Sequence, residues 1–224
     1  MPTKLGQQMN DLIRGQQAEP TAGQQRADEI RDLYKQGLQQ LRGTRNMHPD
    51  ARRVEAAKLY STTRAALAKV KAEQAETDSK TFAKLEAKLW GLADLRGIAT
   101  DRASFDTAAR DANDRAASLK NESAAARALD QAERAGDQVL ARAIAKRCHD
   151  MDWDSPVQAY LATRPTAAED YQQAGAIWQR YNTPDAVVAQ QGMAVLGKPE
   201  ELRGMSEQDI TSMAEPGDVG SSAA

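Results

Sequence analysis

Residues 50–90 read DARRVEAAKLYSTTRAALAKVKAEQAETDSKTFAKLEAKLW, without a proline or a glycine. Ala, Leu, Glu, Lys and Arg dominate this stretch, and these residues lose the least freedom on entering a helix. Proline would remove a backbone donor and clash with the preceding turn. None occurs between Pro49 and Pro156, an interval of 106 residues that holds only Gly91, Gly97 and Gly136. The predicted fold is therefore all-α: an elongated antiparallel helical bundle. It has one long helix over about 50–90, shorter Ala-rich helices, and flexible N- and C-terminal arms.

The long helix measures about 60 Å at 1.5 Å per residue. Its apolar residues fall in two patches: Val54, Ala57, Tyr60, Leu67 and Val70, then Phe82, Leu85, Leu89 and Leu92. Between them, residues 71–80 (KAEQAETDSK) offer only Ala72 and Ala75. A regular coiled coil keeps its heptad throughout. This pattern instead predicts a solvent-crossing middle or a break near residues 77–79.

Outward from this helix, four regions are expected: a flexible arm (1–20), the long-helix region (21–97), a compact helical domain (98–182), and a loosely structured C-terminal segment (183–224). The last of these ends in a disordered EPGDVGSSAA tail. Gly-Gln-Gln recurs at 6, 15 and 23, as compositional bias in a flexible segment. Thr21 and Gln24 have capping-box spacing ahead of Ile30, Leu33, Tyr34, Leu38 and Leu41, which share one face. Thr100, then Asn121 or Ser123, and then Asp137 after the Gly136 turn supply further N-caps. Trp153, Tyr160, Trp178 and Tyr181 concentrate the aromatics towards the C-terminus and mark the expected core.

Alanine occurs 42 times in 224 residues and aromatics make up only 4%. Small side chains bury little area each, so a thin core and reliance on neighbouring chains are expected. The net charge of −2 hides an asymmetry. Residues 1–90 carry 16 Lys and Arg against 11 Asp and Glu, and residues 91–224 carry 14 against 21. The first half is not basic enough to define a nucleic-acid protein. Nucleic-acid contact through Arg52, Arg53, Lys58 and Lys69 is the less favoured partner class. The polar start and the lack of a long apolar run predict no membrane span and a soluble chain made in the cytoplasm.

Candidate chemistry is sparse. One cysteine excludes an intrachain disulfide, and two histidines are too few for a histidine-rich metal centre. Cys148 and His149 are neighbours, which do not face each other on a helix, and Cys148 falls on the apolar stripe. Asp150, Asp152 and Asp154 mimic the start of a calcium loop. Ser155 then stands where glycine is required, and Leu161 where a bidentate glutamate is required. The run reads as a helix end and turn. No Walker loop, dinucleotide fingerprint, nucleophile elbow or zinc spacing is present. No catalytic residue, metal or cofactor is assigned. The candidate partner-binding residues are Trp178, Tyr181 and Trp153, with Arg52 and Arg53 as a possible phosphate grip. Trp178 and Tyr181, one turn apart, also fit a core pair.

The stretch from Ala128 through Gly136-Asp137 to Ala145, followed by Trp153, Tyr160-Leu161 and Arg164-Pro165, resembles a tetratricopeptide-type helical hairpin over 122–165. No second copy follows at that family's period. More broadly, the Ala/Gln/Arg-rich helical body with polar ends resembles helical structural proteins of actinobacterial tailed bacteriophages. That resemblance implies a non-enzymatic virion protein, in the capsid or at the head–tail junction. It would act as an oligomer or alongside capsid, portal or connector subunits. The alternatives are an internal scaffolding protein and a cytosolic helical adaptor or regulator.

Overall fold

The computed structural model describes residues 20–215. Among them are ten α-helices, one short 3-10 helix and no strand, so the fold is all-α. The helices are α1 (Ala22–Gly43), α2 (Pro49–Trp90), α3 (Ala93–Ile98), α4 (Arg102–Ala117) and α5 (Glu122–Ala135). They continue with α6 (Gln138–Asp150), α7 (Asp154–Ala162), α8 (Pro165–Asn182), α9 (Pro184–Gly192) and α10 (Glu207–Ala214). The 3-10 helix is Glu200–Leu202. The expected arm, two of the three Gly-Gln-Gln copies and most of the tail lie outside the described residues. The third copy is not flexible: Gly23-Gln24-Gln25 forms the start of α1.

Several ends follow from local chemistry. At α1 the Thr21 hydroxyl accepts from Gln24 N while Gln24 returns a bond to Thr21 N, a reciprocal capping box. Asn121 caps α5, Asp137 caps α6 and Ser206 caps α10. The α4 cap is Asp101, not Thr100: its carboxylate accepts from Ala103 N and Ser104 N. Gly136 ends α5 at φ 71°, the left-handed conformation that glycine adopts without a Cβ clash.

The described residues form two compact units, 20–77 with 183–215, and Asp78–Asn182. The first boundary falls inside α2, so the expected 21–97 region is not one unit. Residues 71–80 remain helical without a break. The two apolar patches of α2 instead serve separate cores.

In the first unit, Tyr34, Leu38, Ala56, Ala57, Tyr60, Leu202 and Ile210 form the core. Leu202 and Ile210 are 0% and 1% exposed, so the described part of 183–224 is not loose. The apolar residues there are few and widely spaced, which hides their burial from a periodicity reading. Ion pairs fix the return of the chain. Arg42 donates to both Glu201 oxygens at 2.7 and 3.0 Å. Arg64 and Lys198 both pair with Glu207. Arg31 donates to the Gly192 and Met193 carbonyls at 2.6 and 3.0 Å, satisfying groups at the end of α9.

In the second unit, α6 is central. It buries Leu140, Ala141, Ile144, Ala145 and Cys148 against Ala112 and Ala116 of α4, Ala125, Leu129 and Ala132 of α5, and Val157, Tyr160 and Leu161 of α7. A smaller cluster joins Leu85 and Leu89 of α2 to Ala174 and Ile177 of α8. The expected aromatic core is corrected here. Tyr160 is buried, Trp153 only partly so, and Trp178 is 54% exposed. Small and aliphatic side chains, mostly alanine and leucine with Ile144 and Val157, make up most of the buried core, while Trp90 and Trp153 pack against it from its edge.

Candidate functional site

A cavity of about 440 Å³ opens in the second unit between the last turns of α2, the α6–α7 turn and α8. The sequence spacing puts its walls in place. Phe82, Glu86, Leu89 and Trp90 recur along one face of α2, as do Tyr171, Ala174, Gly175 and Trp178 along α8. His149, Asp152 and Asp154 come from the end of α6 and the start of α7.

The α6–α7 turn explains the acidic run. Helix α6 stops at Asp150, and Asp152 takes φ 54°. Aspartate is one of the few residues other than glycine that visits this left-handed region at modest cost. Trp153 N then donates to the Cys148 carbonyl at 2.8 Å, which closes the helix end. Asp154 starts α7 two residues after Asp152, and both line the same cavity. Among the described residues, no group of His, Cys, Asp and Glu has the arrangement of a metal site.

The aromatic wall is interlocked. Trp90 stacks on His149 at 5.3 Å between ring centroids, and Tyr171 meets Trp90 edge-on at 6.2 Å. The Tyr171 hydroxyl and His149 Nδ1 share a hydrogen bond at 3.3 Å. Burial pushes the Tyr171 phenol above its ordinary value, and the Asp154 and Asp152 charges push it the same way. Tyr171 therefore stays protonated, and its surroundings are negative. Cys148, beside His149 in sequence, is buried, and burial raises its thiol to about 11. It is a packing residue, not a nucleophile.

Of the candidate partner-binding residues, Trp178 alone lines this cavity, beside His149, Asp152 and Asp154, which in sequence read only as a helix end and turn. Tyr181 is not core either. It is 37% exposed, and its hydroxyl donates to Asp78 Oδ2 at 2.7 Å, beside Arg180, which donates to the same oxygen at 2.6 Å. Asp78 is 5% exposed, so the polar middle of α2 contains a buried carboxylate. Trp153 packs against the α4–α7 core. Arg52 and Arg53 belong to the first unit: Arg52 donates to the Thr44 carbonyl at 3.1 Å, and Arg53 pairs with Asp50 at 3.5 Å. Lys58 and Lys69 pair with Glu55 and Glu73 at 2.9 and 3.9 Å. All four cations thus have partners within the chain.

Sequence reading missed Glu86, Trp90, His149, Asp152, Asp154 and Tyr171 as one site. The available signal was the helical spacing of Phe82, Glu86 and Trp90, and of Tyr171 and Trp178. Nothing in either spacing shows that these two faces meet. No protein-family model matches the chain, and neither a curated protein nor a solved structure matches it.

Proposed function

We propose that this chain is a non-enzymatic structural protein that works by helix-mediated contact with other protein chains, in the virion of a tailed phage. Its place there is the capsid or the head–tail junction. The observation that supports contact with other chains is Trp178, a large ring 54% exposed on the wall of an aromatic cavity. Tryptophan beside a partly apolar recess is the residue type that most often anchors a protein interface. The virion setting rests on the resemblance in composition and helical organisation.

The test has two levels. Mass spectrometry of purified particles is expected to find the chain, and its absence from them would sink the virion setting. A chain present in procapsids and missing from mature particles identifies a scaffold instead. For the contact itself, Trp178→Ala is expected to reduce incorporation into particles. Leu33→Ala, at a residue 66% exposed in the first unit, leaves incorporation unchanged.

A further inference from the structure

The cavity is acidic as well as aromatic. Glu86, Asp152 and Asp154 line it, and none of them pairs with a cation among the described residues. No Lys or Arg lines it either. This contrasts with the rest of the second unit. There Asp94 has Arg142, Glu133 has Arg164, Asp170 has Lys88, and Asp150 has Lys146. All three are solvent-exposed at the rim of the recess, and their like charges favour a cation there, most strongly at low salt. The faces of tryptophan and tyrosine rings attract cations, and more strongly where water is excluded.

We infer that the cavity receives an arginine or lysine side chain from a partner polypeptide, with its aliphatic stem against Trp178 and its charged head among Glu86, Asp152 and Asp154. This inference rests on the proposed contact function and names the partner's chemistry. Charge complementarity selects a basic occupant. Size selects a polypeptide, because 440 Å³ exceeds the space that one charged head fills. The remaining volume, walled by Phe82, Leu89 and Tyr171, suits apolar residues flanking the cation.

The test uses the full chain and three synthetic peptides: acetyl-Gly-Leu-Arg-Leu-Gly-amide and the same peptide with citrulline or glutamate in place of arginine. N-acetyl-arginine amide is the free-cation probe. The readout is the NMR shift of the Trp178 indole N–H during titration at low salt. The arginine peptide is expected to bind about tenfold more tightly than its citrulline counterpart, from ion pairing and ring contact together. Glutamate in the same position is expected to abolish binding. The triple variant Glu86→Gln, Asp152→Asn, Asp154→Asn should remove the preference for arginine over citrulline. Asparagine tolerates the left-handed backbone at residue 152, so the turn is kept.

Equal affinity for arginine and citrulline on the unaltered protein overturns the inference, whatever the triple variant does, and leaves the proposed contact through this cavity standing. Equal affinity for N-acetyl-arginine amide and the arginine peptide makes it a small-cation site and overturns the polypeptide occupant. Concentration-dependent self-association that shields Trp178 from every peptide assigns the cavity to a second copy and overturns the separate partner. No Trp178 shift with any probe, in a monomeric chain, overturns both the inference and the contact role of the cavity.

Discussion

The two compact units reach similar helical structure by different routes. The second unit is continuous in sequence, Asp78–Asn182, and its core joins helices that follow one another directly. The first unit joins α1 and the early part of α2 to residues more than a hundred positions later. Leu202 and Ile210 fill its core, while Arg42–Glu201 and Arg64–Glu207 hold the segments together. Local closure lets alanine-rich helices pack against each other with little entropic cost. Distant closure has to offset a larger loss of chain freedom, and here large fully buried side chains do most of this, while the partly exposed ion pairs mainly fix which segments meet.

The largest expected effects separate the units. Leu202→Ala should cost about 2–5 kcal/mol, because the side chain is fully enclosed and its cavity cannot collapse completely. Hydrogen exchange followed by mass spectrometry should show the loss across 20–77 and 183–215. Protection in 78–182 should stay unchanged. Ile144→Ala, at a residue 1% exposed, should give the mirror image at about the same cost. Loss of protection in both units from either substitution would mean that they unfold as one, and would break the comparison.

A smaller effect is expected where α2 enters the second unit. Asp78→Ala removes the shared acceptor of Arg180 and Tyr181, at a cost of about 2 kcal/mol, because hydrogen bonds to a buried charge are worth more than neutral ones. Denaturant titration monitored within 78–182 should detect it. Tyr181→Phe, which leaves the Arg180 pair intact, should cost about 1 kcal/mol.

Backbone geometry gives one matched pair. Gly136 in the second unit has φ 71° and Gly204 in the first has φ 80°, and a Cβ at either would meet no atom within 4 Å. Alanine at each should therefore cost about 1 kcal/mol from backbone strain alone. Thermal unfolding of the two variants should differ from the parent by similar amounts. A neutral result at one position would show that its turn relaxes.

Acid gives the smallest and most selective contrast. The hydrogen bond from Arg142 holds the Asp94 carboxyl below its usual range, and the one from Arg42 does the same for Glu201. Carboxyls depressed in the folded state add stability that is present above the ordinary value. It is lost as pH falls through the folded one, so the loss should begin below about pH 4. Asp94 is 61% exposed in its side chain, and solvent screening keeps that pair's contribution below about 1 kcal/mol. Asp94→Asn should flatten the acid response of residues 78–182 alone, and Glu201→Gln that of residues 20–77 and 183–215 alone. Local hydrogen exchange at pH 3 and pH 6 checks both.

Much of the fold was legible before any tertiary information. Thr21 with Gln24, Asn121, Asp137 and Gly136 mark helix ends because caps act within four residues of the chain. Cys148 reads as a buried hydrophobe because it shares a face with Leu140 and Ile144, although Met151, expected on that face, is 41% exposed. The two apolar patches of α2 are equally visible, although their allocation to different cores is not. The candidate site was barely legible. Trp178 and Tyr181 look alike in sequence, yet one lines an acidic cavity and the other bonds Asp78.

The sequence by itself determined the long helices, most of their caps (the α4 cap, Asp101, lies one residue past the expected Thr100) and the acidic stop at residues 150–154, because these depend on backbone sterics and on contacts between near neighbours. Tertiary structure alone decided that Leu202 and Ile210 complete the first core, that Asp78 is buried, and that Glu86, Asp152 and Asp154 surround one aromatic recess. Those outcomes depend on which helix faces meet. Periodicity names the face of each helix, but the pairing of faces arises from packing among residues far apart in the chain.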